Sequence, residues 1–305
     1  MNYKHVVEEI VTKFLINTCR LRPQLSDSVV QAVMHCVYAA ATRPITEAEA
    51  HCMPLITGSV AEFYIEPMLP HFGDVDVMHH WSTQLAIPRG HPPPTQLPAE
   101  FHNYVKAHEI IDSHLPGYVY LKLRYLLTEC VDDDMYKAVE YDEELYLSNH
   151  GYDCDKNDMH GPAVMTSYSG LLSCDHVSSI RCLSWPSQAA DWPSRHREYG
   201  WPDFATVHCV VSNGCDVVGV AHRLRRQHEW MGKCQCRLSF SRAEIILLNS
   251  WMPVQQIVYH MLQFLANVNS SSCSLYVIDG PSVVCRLSSV CLSVVCNVGA
   301  PYSGD

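Results

Sequence analysis

Asp74-Val75-Asp76 puts two carboxylates two residues apart, and that spacing has direct chemical meaning. On a strand, residues i and i+2 project from the same face, so both acids would point the same way. Paired hard-oxygen ligands suit Mg²⁺ or Mn²⁺, ions that also hold substrate phosphates. Gly58-Ser59 lies upstream. A glycine at a turn entering a helix lets backbone approach closely and offers N–H donors to a phosphate. A third carboxylate on a neighbouring strand would complete a two-metal clamp, with ions about 3.5–4 Å apart. Asp175 is the candidate, because Asp175-His176-Val177-Ser178-Ser179-Ile180 reads as a strand. Two solvated acids at a strand end would give the same D-x-D pattern, and these residues alone leave both readings open.

The elements that must position these groups show in the hydrophobic periodicity. Val6, Val7, Ile10, Val11, Phe14 and Leu15 form one helical stripe, and Ser26-Asp27-Ser28 can cap a second helix. Thr46-Glu47-Ala48-Glu49 fits a capping box. Tyr64-Ile65-Glu66 and Val75-Asp76-Val77-Met78 read as strand pieces. Residues 88–98 hold five prolines and a glycine, which predicts a loop. Residues 118–127 alternate apolar and polar as a half-buried strand does. The acidic stretch 132–141 reads as solvated surface. Residues 161–203 carry Trp185-Pro186, Trp192-Pro193 and Trp201-Pro202, predicting turn-rich chain pinned by large aromatics. Helical patterns follow over 238–248 and 253–265, with Pro253 suited to a first turn.

Composition sets the outer limits. The chain has 305 residues, 48% hydrophobic and 17% charged, enough apolar material for one large domain or two lobes. Its formal charge of −11 argues against a surface that coats nucleic acid throughout, although a local basic patch remains compatible. Fifteen scattered cysteines without a secretory leader predict a reduced protein of the cytoplasm or nucleus. No run reaches the ~18–20 apolar residues of a membrane span. Residues 267–305 change character to a Val/Ser/Cys-rich tail without helical or strand period.

Taken in order, Gly58-Ser59, Asp74-Val75-Asp76, Gly161-Pro162-Ala163-Val164, Asp175 and Arg237-Leu238-Ser239-Phe240-Ser241 resemble a polymerase-beta-type nucleotidyltransferase. The Arg237 to Ser241 motif, the helical residues behind it and the Trp-Pro spacings are similar to the Mab-21-like family, which includes cyclic GMP-AMP synthase. The resemblance spans roughly residues 50–265. It implies an α/β fold with a mixed twisted sheet and a partial C-terminal helical lobe. The implied layout is N-terminal helices over 1–50, a nucleotidyltransferase core over 51–235, the start of the helical lobe over 236–266, and a poorly ordered tail over 267–305.

The resemblance also implies chemistry. Asp74, Asp76 and Asp175 would be the catalytic metal-binding triad for Mg²⁺ or Mn²⁺. Gly58 and Ser59 would hold the donor triphosphate, and Arg237, Ser239 and Ser241 would face bound nucleotide. ATP and GTP would be the substrates, a cyclic dinucleotide the product, and double-stranded nucleic acid the activator of an innate immune receptor. The second lobe reads as truncated after about Ala266, and the zinc insert of cyclic GMP-AMP synthase is missing between the two helical segments. A catalytically silent scaffold of the same family is the alternative, with an unrelated metal-dependent phosphohydrolase behind it.

Other clusters carry weaker signals. Cys209, Cys215, Cys234, Cys236, His208 and His222 lack the C-x₂-C spacing of a zinc knuckle, so free thiols are the default. His79 and His80 would point to opposite faces of a strand. His222-Arg223-Leu224-Arg225-Arg226 is a basic cluster able to grip phosphodiester, or a surface loop balancing an acidic body. Trp185, Trp192 and Trp201 read as core anchors rather than stacking platforms. Cys–His catalysis has no more support than chance pairing.

Overall fold

The computed structural model describes residues 13, 52–58, 74–130, 135–148, 159–160, 163–168, 172–197, 200–220, 233–251 and 255. The N-terminal helical stripe, Tyr64-Ile65-Glu66, the helical pattern over 253–265 apart from the helical Gln255, and the tail lie outside these residues. Within them the fold is mixed α/β and dominated by strands. In chain order the strands are β1 (Cys52–Thr57), β2 (Asp74–Ile87), β3 (Tyr104–Asp112), β4 (Tyr118–Glu129) and β5 (Tyr136–Glu140). Then come β6 (Met159–His160), β7 (Ala163–Tyr168), β8 (Leu172–Cys182), helix α1 (Phe204–Asn213), β9 (Cys215–Val218), β10 (Gln235–Ser239) and helix α2 (Ser241–Asn249).

The strands form one sheet in the order β1-β2-β3-β4-β10-β9-β8-β7-β6, with β5 on β4 and a further β2–β8 pairing. That extra pairing closes β2, β3, β4, β10, β9 and β8 into a ring. Strand β2 is central to it, antiparallel to β1 and parallel to both β3 and β8. The β2–β8 register shifts between His80 and Leu85, where a bulge interrupts β2.

Period-2 alternation sorts the side chains. Ala86, Ile110, Val119, Leu121, Ile180, Val217 and Leu238 join one apolar cluster, which Val207 and Val210 of α1 and Ala243 and Leu247 of α2 complete. Leu85, Ile87, Val105, Ala107 and Leu127 form a second cluster from the opposite parity. As the alternation over 118–127 predicts, β4 buries Val119, Leu121, Leu123 and Leu127. Its Lys122 and Arg124 stay near the surface, paired with Glu144 and Glu140 at 3.3 and 2.5 Å.

Residues 88–98 form the predicted loop. Residues 137–140 of the acidic stretch are exposed as expected, and Tyr136–Glu140 also extends the sheet edge on β4. Residues 161–203 are only partly turn-rich, since β7 and β8 occupy the first half and become core strands. The tryptophans do act as anchors. Trp192 is buried, and Trp185 packs on both Trp192 and Phe240 with ring centroids 5.3 Å apart in each pair. Asp203 caps α1 by accepting from the Thr206 N–H at 2.7 Å. Strand β10 straddles the 235/236 boundary expected between core and second lobe.

His108 on β3 is 3% exposed, and neither ring nitrogen meets a hydrogen-bond partner among the described residues. Burial, helped by the Lys106 charge, pushes its pKa from 6.5 down to about 4. The neutral ring is therefore the folded form, and its share of stability is present above pH 6.5 and lost as pH falls through about 4. Chemical denaturation of His108→Leu should show a shallower loss below pH 6.5, by up to about 1.4 kcal/mol per pH unit relative to the parent. Parallel pH profiles for the two proteins would refute this.

Candidate functional site

Strand pairing brings the acidic candidates to neighbouring positions. Asp76 on β2 is the register partner of Asp175 on β8, and Asp74 is the partner of Ser173. Adjacent strands lie roughly 4.8 Å apart, so the Asp76 and Asp175 side chains leave one face side by side. The side chains of Asp74 and Ser59 are outside the described residues. Among the described residues, no group of three or more His, Cys, Asp or Glu side chains is arranged to hold a metal.

Gly58 ends β1 with φ +66, a conformation that glycine adopts without steric cost. A Cβ there would fall 2.8 Å from Asp76 Cγ, so the missing side chain leaves the room this carboxylate occupies. The close approach expected of Gly58 is thus made to the Asp76 carboxylate. Thr57 reinforces the junction, donating from Oγ1 to the Asp76 carbonyl at 3.5 Å. Two carboxylates on adjacent strands, held from below by a glycine, supply the hard oxygens that a small divalent cation requires.

The Arg237 to Ser241 motif adopts a different local structure from the helix expected over 238–248. Gln235–Ser239 is strand β10, and helix begins only at Ser241. The ladder explains the difference, because β10 pairs with both β4 and β9 and buries Cys236 and Leu238 while leaving Arg237 exposed. Ser239 and Ser241 flank the strand–helix junction with hydroxyls 3.1 Å apart. Beneath them Phe240 is buried against Trp185.

A charged cluster lies on the same parity of the sheet. Arg181 on β8, Asp216 on β9 and Ser239 on β10 are successive register partners. Asp216 is 0% exposed and accepts from Arg242 Nε at 2.9 Å. Burial pushes the Asp216 carboxyl upward, while the Arg242 and Arg181 charges oppose that shift. Arg181 donates to the carbonyls of Cys182 at 3.0 Å, Cys215 at 2.9 Å and Asn213. Arg242 Nη2 also lies 3.4 Å from His80 Nδ1, whose pKa falls to about 3, chiefly through burial and then through Arg242. Nothing in the spacing of the sequence joins these four residues. Their trace is only that Asp216 interrupts an apolar strand and Arg181 stands between Ile180 and Cys182.

The two adjacent histidines diverge as strand geometry predicts. His79 Nε2 meets His176 Nδ1 at 2.9 Å, whereas His80 faces Arg242. Trp81 donates to Ser178 at 2.8 Å on the His79 side. Cys209, Cys215, Cys234 and Cys236 are free thiols, while His222 and its arginines lie outside the described residues. Ala163 and Val164 sit in β7, but Gly161 and Pro162 are likewise outside.

Residues 148–250 match the family model of the Mab-21 protein nucleotidyltransferase domain, a likeness in line with the one expected from the motifs. The match contains Asp175, Arg237, Ser239 and Ser241, while Gly58, Ser59, Asp74 and Asp76 precede it. No curated protein matches the chain. Among the described residues, no helix is long and apolar enough to cross a membrane.

Gly58→Ala tests the junction directly. The positive φ should cost about 1–2 kcal/mol of stability, and the new methyl should push the Asp76 carboxylate aside. Mn²⁺ affinity, read by electron paramagnetic resonance on refolded protein, should fall. An unchanged melting temperature together with unchanged Mn²⁺ binding would show that Gly58 exerts no such control.

Proposed function

We propose that the protein transfers nucleotidyl groups from ATP or GTP in a divalent-cation-dependent reaction, forming a cyclic dinucleotide. The observation carrying this reading is the Asp76–Asp175 register pair, whose β8 member falls within the matched nucleotidyltransferase domain. In this reading Asp74, Asp76 and Asp175 hold Mg²⁺ or Mn²⁺. Bound there, the cation neutralises phosphate charge and lowers the pKa of a coordinated hydroxyl. Gly58 and Ser59 hold the donor triphosphate, with Gly58 also setting where the Asp76 carboxylate stands. Arg237, exposed on β10, and the Ser239–Ser241 hydroxyl pair contact the nucleotide away from the carboxylates.

The carboxylates and the serine junction stand well apart on the sheet. Arg181, in line with Ser239 across the sheet, lies six positions beyond Asp175 on β8, or roughly 20 Å along a strand. Activation by double-stranded nucleic acid, and a role in innate immune sensing, belong to the same proposal through the family likeness.

The test uses purified protein with labelled ATP and GTP, Mg²⁺ or Mn²⁺, and double-stranded RNA or DNA present or absent. A phosphatase-resistant product with pyrophosphate release is expected, and Asp76→Asn should abolish it while leaving the melting temperature within a few degrees. Release of inorganic phosphate instead would identify a phosphohydrolase. Nucleotide binding without any product would identify a silent scaffold.

A further inference from the structure

Arg242 joins three parts of the molecule that are distant in sequence. It starts from the first turn of α2, directly after Ser239 and Ser241. Its Nε reaches Asp216 Oδ2 on β9 at 2.9 Å, and its Nη2 approaches His80 Nδ1 on β2 at 3.4 Å. His80 is on the strand of Asp74 and Asp76, and its register partner Ser179 is on the strand of Asp175. The cluster thus connects the carboxylate strands with the serine junction.

Stability alone is a poor reason for such an arrangement. A buried ion pair is often no better for stability than a well-packed apolar replacement, whereas a half-broken one is strongly unfavourable. What a guanidinium adds is direction, because its planar fork fixes the relative placement of two acceptors, and an ammonium is a point charge. Arg181 is committed elsewhere, donating to three main-chain carbonyls around the Cys182–Cys215 pairing. Asp216 Oδ2 and His80 Nδ1 are therefore left to Arg242 as the groups it orients against.

We propose that Arg242 is a positioning residue, holding the Ser239–Ser241 junction at a fixed offset from β2 so that nucleotide and cation sites act in register. The inference rests on the nucleotide-binding reading given above. It assigns Arg242 no contact with nucleotide.

The test compares the full chain with Arg242→Lys and with the double variant Arg242→Met/Asp216→Leu. Three quantities are read: fluorescent ATP binding in Mn²⁺, Mn²⁺ binding alone, and melting temperature. Arg242→Lys should weaken nucleotide binding about tenfold, as expected for losing a charge-assisted bond, with Mn²⁺ affinity within about twofold. The double variant should recover melting temperature without recovering nucleotide affinity. Nucleotide affinity within about twofold of the parent in either variant would overturn the proposal, leaving the pair a packing feature. A parent protein that binds Mn²⁺ but no nucleotide would instead remove the underlying reading, and this inference with it.

Discussion

The parallel pairing of β2 with β8 sets two carboxylates against each other, and much of the structure is arranged around that contact. Like charges directly across a strand pair are destabilising. Asp76 and Asp175 therefore share a register that neither would choose alone. The pairing holds because both strands are committed elsewhere. Strand β2 is also bonded to β1 and β3, and β8 to β7 and β9. Slippage by one residue would turn Val77 and Ile180 out of their buried positions along with the acids.

Behind the acids the same face turns inward. Asp216, Arg181 and His80 are buried, although charged or titratable groups rarely go inside unless partnered. Their partners come from the main chain around Cys182 and from α2. Helix α2 has two consequences: Ala243 and Leu247 complete the apolar cluster, and Arg242 answers Asp216. A helix serving both needs has little freedom to slide. The serine pair at its start inherits that rigidity.

How much of this the sequence disclosed depends on how local each cause was. Strand β4 was legible because Val119, Leu121 and Leu123 alternate with polar residues, a pattern complete within one segment. Asp175 was read as a strand residue from the segment Asp175–Ile180, and β8 contains that segment. The helix expected from Leu238 begins at Ser241 because β4 and β9 claim Gln235–Ser239, and no pattern within that segment announces those two neighbours. The strand Tyr136–Glu140 was hidden likewise, its only cause being an open edge on β4. Candidate acids could be named from spacing, but their register partners could not. The Arg242–Asp216–His80 cluster left no motif, since its members meet only after the ring of strands has closed.

The ring also explains why the two candidate groups can share one face without interfering. Strand β8 runs from Asp175 past Val177 and Ser179 to Arg181, carrying that face from the acidic end toward the serine junction. Alternate residues Ile180 and Cys182 are held in the opposite cluster, which prevents β8 from rolling. Its length therefore acts as a ruler, and the bulge after His80 sits where β2, still paired with β8, exchanges β1 for β3 on its other edge. A change in the bulge would move β3 and the core over Leu85 and Val105, yet leave Asp76 opposite Asp175. Spacing between the Asp76–Asp175 pair and the Ser239–Ser241 junction is thus set by β8 and α2.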